Sequence, residues 1–352
     1  MGNKRASHAT ALLVGVALSV GAVRAQAPAQ GTVDRLTVHG RSLEKNLAGD
    51  SPDRSVSVYL PPGYAAATGR RYPVIYLLHG FTDSDDRWFG RVQHFINVPQ
   101  AVDRALSGGS KDVIVVMPNA LTKFGGSMYS TSVTIGDWES YITKDLVSYV
   151  DSHYRTIANA ASRGLAGHSM GGYGALRIGM KYPDVFSAIY ALSPCCMISN
   201  MAPPSGPERG GPAPETVRTF EELEKAGFGT KALLASAAAW SPNPKNPPFF
   251  SDMPMNNGEF QPLVAAKWAA NAPLAMVDQY IGNLKKLSAV AFDAGDKDEP
   301  IATTVRTLDG ILNRYGLPHT FEIYTGDHVN RIAERVEKQV VPFFSANLTF
   351  AR

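Results

Sequence analysis

The stretch GLAGHSMGGYGAL (Gly164–Leu176) decides how the rest of the chain is read. Leu165-Ala166-Gly167 ends a short apolar strand, and the small residues from Gly171 to Tyr182 read as a helix. Between them, Gly167-His168-Ser169-Met170-Gly171 has the form G-x-S-x-G. A strand that turns at once into a helix puts the serine at a strained apex. Glycine two residues away on either side lets the two segments pass that closely. Such a turn lifts the Ser169 hydroxyl above the sheet edge, beside a helix N-terminus. It also aims the Met170 N–H at the point where an oxyanion would develop. The bare motif is common by chance, so the strand–turn–helix context is what makes Ser169 a candidate nucleophile.

Working outward, strands alternate with helices. Ser55–Leu60 alternates and stops at Pro61-Pro62-Gly63, as a strand ending in a turn does. Pro73–Leu78 and Asp112–Met117 are continuous β-branched and apolar runs, the pattern of strands buried on both faces. Trp138–Tyr154 carries Tyr141, Ile142, Leu146, Val147 and Val150 at helical spacing. Phe186–Leu192, Leu287–Phe292 and Phe321–Tyr324 read as further strands, with helices at about Ile301–Tyr315 and Ile332–Phe344. This order predicts an α/β fold: a mostly parallel sheet with helices on both faces. One region breaks the rhythm. From about Met197 to Lys286 the chain is rich in Pro, Gly, Ala and Met, with helical patches such as Lys231–Trp240 and no clear strand. A structureless loop of that length is unusual, so this region reads as an inserted, partly helical cap.

A serine hydroxyl needs a base, and the base needs an orienting carboxylate. On a sheet of this kind with this elbow, the chain order is Ser, then Asp or Glu, then His. Downstream of Ser169 only His319 and His328 remain. His319 begins a strand and reads as a surface residue. His328 follows that strand, at the carboxyl end where catalytic loops lie, and is the candidate base. The acid should follow Leu287–Phe292, within Asp293-Ala294-Gly295-Asp296-Lys297-Asp298-Glu299-Pro300. Asp293 sits at the strand end and reads as buried. The turn at Gly295 lets Asp298 reach back over the sheet, with Asp296 as the alternative. The second oxyanion donor should come from Leu77-Leu78-His79-Gly80-Phe81, where Gly80 permits close approach and the Phe81 N–H is the candidate. His79 lies upstream of the serine and reads as structural. Trp88, Tyr129, Phe249 and Trp268 are candidate pocket aromatics, although aromatics bury large areas anywhere.

With those residues placed, the chain resembles an esterase family of the α/β-hydrolase superfamily. That family includes esterase D (S-formylglutathione hydrolase), feruloyl and acetylxylan esterases, and the mycobacterial mycolyl transferases. The resemblance rests on VSVYLPPGY (Val56–Tyr64), YPVIYLLHGFTDSDDRW (Tyr72–Trp88), YVDSHYRT (Tyr149–Thr156), GLAGHSMGGYGAL, YPDVFSAIYALSP (Tyr182–Pro194), FDAGDKDEP and YTGDHV. It implies an α/β-hydrolase fold and a serine carboxylic-ester hydrolase. By resemblance the nucleophile falls on Ser169, the acid on Asp298, the base on His328, and the oxyanion donors on Phe81 and Met170. The mycolyl transferases raise an acyltransferase as the alternative. A non-catalytic binding protein is the third reading, disfavoured because no triad member is missing.

The remaining features bound the setting. Lys4 and Arg5, the apolar run Ala11–Val23, and Ala25 and Ala27 follow the order of a secretory signal peptide over residues 1–27, which predicts a secreted or periplasmic chain. The esterase domain would then span 28–352, with the cap at about 197–286, and no stable membrane span would remain after cleavage. A net charge of +3 over 352 residues, with no dense basic stripe, gives no reason to expect a nucleic-acid partner. The expected partner is a small-molecule or polysaccharide-linked ester. Neither CxxC nor HExxH occurs, and no metal or organic cofactor is expected. The only cysteines, Cys195 and Cys196, are neighbours, and adjacent cysteines rarely meet disulfide geometry.

Overall fold

A computed structural model describes residues 1–2, 30–199 and 214–351. Residues 3–27 of the expected signal peptide, and the Pro- and Gly-rich part of the cap at 200–213, lie outside the described residues. Eight strands form one sheet: β1 (Thr32–His39), β2 (Asp53–Leu60), β3 (Val74–Leu78), β4 (Ile114–Pro118), β5 (Arg163–His168), β6 (Ala188–Leu192), β7 (Ala289–Gly295) and β8 (Thr320–Tyr324). Their order across the sheet is β1-β2-β4-β3-β5-β6-β7-β8. Only β2 runs against its neighbours, pairing antiparallel with β1 and β4, and the other pairings are parallel.

Alternation explains the continuous apolar runs. Val74, Tyr76 and Leu78 enter one core together with Ile114 and Val116. Ile75 and Leu77 enter the other, with Val115 and Met117. Both faces of β3 and β4 are covered, so every position must be apolar. Each such side chain contributes about 2 kcal/mol by burial. β1 was not legible as a strand because it lies at the sheet edge and only Val38 is buried.

The covering helices include α1 (Val98–Ser107), whose Asn97 side chain accepts the Gln100 N–H as an N-cap, and α2 (Met170–Lys181), which starts at the elbow. The segment 138–153 is helical throughout but carries a π turn over Tyr141–Leu146. The cap holds α3 (Phe220–Lys225), α4 (Phe228–Trp240), α5 (Pro262–Ala270) and α6 (Pro273–Leu284). It also holds one very short hairpin, Met255–Asn256 with Glu259–Phe260, which the sequence pattern did not reveal. α6 packs against α2, tying the cap to the body. α7 (Ile301–Arg314) follows β7. No helix among the described residues is long and apolar enough to cross a membrane.

Candidate active site

Parallel registry brings the carboxyl ends of five strands to one rim. Leu78 of β3 lies opposite Gly167 of β5, His168 opposite Leu192 of β6, and Gly295 of β7 opposite Tyr324 of β8. The loops leaving this rim carry every residue of the candidate site, as expected for an open α/β sheet.

The elbow is built as its glycines require. Ser169 sits at φ 56° and ψ −115°, a region L-residues rarely occupy. A Cβ on Gly167 would collide with the Gly171 backbone, and one on Gly171 with the Leu78 carbonyl. The strained turn is held on both sides: the Ser169 N–H donates to the Leu192 carbonyl at 3.0 Å, and its carbonyl accepts the Cys195 N–H at 3.1 Å.

The Ser169 hydroxyl lies 2.9 Å from His328 Nε2, and His328 Nδ1 lies 2.7 Å from Asp298 Oδ2. The carboxylate only accepts, so Nδ1 carries the proton and Nε2 is left to accept from the hydroxyl. Asp298 is buried, and its own N–H donates to the Gly295 carbonyl at 3.1 Å, the turn that carries it back over the sheet. Asp296, the alternative acid, instead accepts the Gly326 N–H at 3.0 Å. Asp293 is fully buried and is engaged by Arg335 at 2.6 Å and the Tyr190 hydroxyl at 2.7 Å. Neither Asp293 nor Asp296 touches His328.

Two further histidines brace the site. His79 is buried; its Nε2 accepts the Ala120 N–H at 2.8 Å, so its protonated Nδ1 donates to the Gly80 carbonyl at 2.8 Å. That grip turns the Gly80–Phe81 peptide so that the Phe81 N–H points the opposite way. Neither the Phe81 nor the Met170 N–H has a hydrogen-bond partner among the described residues. A Cβ on Gly80 would stand 3.5 Å from Ser169 Cβ, so the loop lies against the nucleophile. His168, to which sequence reasoning gave no role, donates from Nε2 to the His328 carbonyl at 2.8 Å. Burial, helped by neighbouring His328, holds its pKa well below the usual imidazole value, so the ring is neutral. Its place inside G-x-S-x-G was the only sequence signal, and the motif does not specify that residue. His319 corrects an expectation. It is not a surface residue: its ring stacks on Phe292 at 5.2 Å and its Nε2 lies 2.9 Å from Asp309.

Ser169, His328 and Asp298 open onto a cavity of about 350 Å³ between the sheet rim and the cap. Its wall is mostly apolar: Met197 and Ile198 after β6, Phe228, Leu233 and Trp240 of α4, and Ile301 of α7. Of the four candidate aromatics, Trp268 lines this cavity, with its Nε1 donating to Ser241 at 2.8 Å. The other three are placed elsewhere. Trp88 is fully buried and donates to Asp83 at 2.6 Å. Tyr129 is buried beneath α2 and donates to the His79 carbonyl at 3.2 Å. Phe249 packs on Phe220 and Phe124. All three are drawn into packing by their large apolar area. The α4 wall was missed because a helix apolar on most sides gives no sign of which face meets a ligand. Among the described residues, no group of three or more His, Cys, Asp or Glu is arranged to hold a metal.

Comparison with known proteins agrees with this architecture. The chain is 38% identical over 140 residues to an esterase of Mycobacterium tuberculosis, covering 38% of this chain and 27% of that protein. It is 32% identical over 157 residues to an endo-1,4-beta-xylanase/feruloyl esterase of Xylanibacter ruminicola, covering 42% of this chain and 21% of that protein. The chain thus spans about a quarter of the length of these curated relatives. Among solved structures, a ferulic acid esterase superposes with a TM-score of 0.63 at 21% identity, covering 91% of this chain and 100% of that one. An S-formylglutathione hydrolase of Agrobacterium tumefaciens does so at 0.55 and 16%, covering 91% and 96%. Residues 51–332 match the family described as "Putative esterase". The chain therefore belongs to that family of esterases and carries the α/β-hydrolase fold.

Proposed function

We propose that this chain is an exported serine carboxylic-ester hydrolase that works through an acyl-enzyme on Ser169. The observation that carries the reading is the continuous hydrogen-bond line from Ser169 through His328 to Asp298 at the mouth of an apolar cavity. His328 Nε2 takes the hydroxyl proton as Oγ attacks the ester carbonyl. Asp298 holds the Nδ1–H tautomer and stabilises the imidazolium. The unpartnered Phe81 and Met170 N–H groups receive the oxyanion, each worth about 3 kcal/mol at the transition state. His328 then returns the proton to the leaving alcohol, and water attacks the acyl-enzyme by the same route.

The apolar wall supports an uncharged acyl or aryl group as the part held beneath the cap. The likeness to a ferulic acid esterase supports aryl or carbohydrate-linked esters as the first substrates to try. Export rests on the basic, apolar, small-residue order of residues 1–27. A panel of acetyl, butyryl, feruloyl and longer acyl esters on the purified chain tests the reading. Wild-type protein should turn over at least one of them and take a fluorophosphonate label at Ser169, and Ser169→Ala should do neither while remaining folded. Undiminished turnover by Ser169→Ala would refute the assignment.

A further inference from the structure

The two cysteines are adjacent in sequence, yet the structure turns both side chains the same way, with their sulfurs 2.7 Å apart. Both are free, half-buried and on the cavity wall beside Ser169. The backbone around the pair is unusual. Ser193 has φ 39° and Cys196 φ 61°, left-handed conformations that non-glycine residues seldom hold. Strain of this kind persists where surrounding structure fixes it, and it gathers at functional positions. The pair is also tied to the nucleophile: the Cys195 N–H donates to the Ser169 carbonyl at 3.1 Å.

We propose that Cys195 and Cys196 form a dithiol/disulfide couple on the wall of the catalytic cavity, oxidised by small-molecule disulfides, and that closing the bond slows ester turnover. The second half rests on the ester-hydrolase reading; the first does not. Trans-linked neighbours hold their α-carbons about 3.8 Å apart, closer than a disulfide prefers, so the bond is strained and easily reduced. Strained, accessible disulfides are the switchable ones rather than the structural ones. Either cysteine can open the exchange, by the same steps. When it begins at Cys196, the Cys196 thiolate attacks one sulfur of the small disulfide, whose S–S bond breaks, and one thiol leaves with the proton given up by Cys196. Cys195 then loses its proton and attacks the Cys196 sulfur of the mixed disulfide, releasing the second thiol. Two electrons and two protons pass from the pair to the small disulfide. The closed ring pulls on the peptide that holds the Ser169 carbonyl, and with it on the elbow.

Incubation of the full chain with 2-hydroxyethyl disulfide, followed by intact-mass measurement and peptide mapping, tests the couple. The expected result is a loss of two hydrogens located at Cys195–Cys196, reversed by dithiothreitol. Turnover of 4-nitrophenyl acetate in the oxidised form should fall by about threefold or more, because small misplacements at a nucleophile are costly. In both Cys196→Ser and Cys195→Ala, the loss of two hydrogens should disappear and no closed form should slow turnover. Two persistent free thiols, or stable mixed adducts on both cysteines, would overturn the couple. Equal turnover of oxidised and reduced protein would overturn its effect on catalysis. If neither form hydrolyses any ester, the hydrolase reading fails while the mass measurement still decides the couple.

Discussion

Asp298→Asn separates the charge of the triad from its shape. The carboxylate is 9% exposed and its oxygen lies 2.7 Å from His328 Nδ1. When His328 takes the serine proton, the imidazolium charge spreads over the ring, so the two charges are centred about 4 Å apart. At an effective dielectric constant of about 20, that separation is worth about 4 kcal/mol. Because each 1.36 kcal/mol is tenfold in rate, losing the charge should lower kcat by about a thousandfold. His328 is 36% exposed, and solvent on its outer edge weakens the interaction, so a hundredfold loss is the lower bound. The amide keeps the side-chain volume, so KM and the melting temperature should barely move. Initial rates of 4-nitrophenyl acetate hydrolysis give kcat and KM, and circular dichroism gives the melt. Asp296→Asn, which alters only the bond to the Gly326 N–H, is the matched control and should lose less than Asp298→Asn. A fall of less than tenfold in Asp298→Asn, or a larger fall in Asp296→Asn, would refute the assignment of the acid.

Gly171→Ala forces a methyl into the Leu78 carbonyl, so the elbow must open; the rate of fluorophosphonate labelling at Ser169 should drop by about a hundredfold, and a normal rate would count against the elbow geometry. Arg335→Met leaves the Asp293 carboxylate fully buried with its ion partner gone; urea denaturation should show a loss of about 3–5 kcal/mol, and an unchanged midpoint would refute the pairing. His79 and His168 are buried and neutral, with pKa values lowered below 6.5 chiefly by burial, whereas the unfolded chain protonates both near that value. The unfolded state therefore binds more protons as pH falls through about 6.5, and stability should decline on acidification by up to about 2.7 kcal/mol per pH unit from these two groups. Urea midpoints at pH 7.5 and 5.5 check this, and His168→Gln should flatten the decline.

The strands that matter most were legible because burial on both faces leaves no polar choice. Pro73–Leu78 and Asp112–Met117 read as central strands from composition alone, and the structure places them in the middle of the sheet as Val74–Leu78 and Ile114–Pro118. β1 was not legible, since an edge strand with one buried residue has no pattern to show. The elbow was legible for a steric reason, because close approach demands glycine at Gly167 and Gly171 whatever else the fold does. Chain order then pointed to His328 and Asp298, but it offered three aspartates, and only distance shows which one meets the imidazole.

Local sequence thus determined where strands, turns and the elbow form, because sterics and burial act on residues close together in the chain. Tertiary structure decided what faces what. It drew Trp88, Tyr129 and Phe249 into packing, left Trp268 on the cavity wall, and turned two neighbouring thiols toward one another beside Ser169. Those outcomes depend on segments about 90–160 residues apart meeting at one rim, and no local pattern encodes which side chain wins the space there.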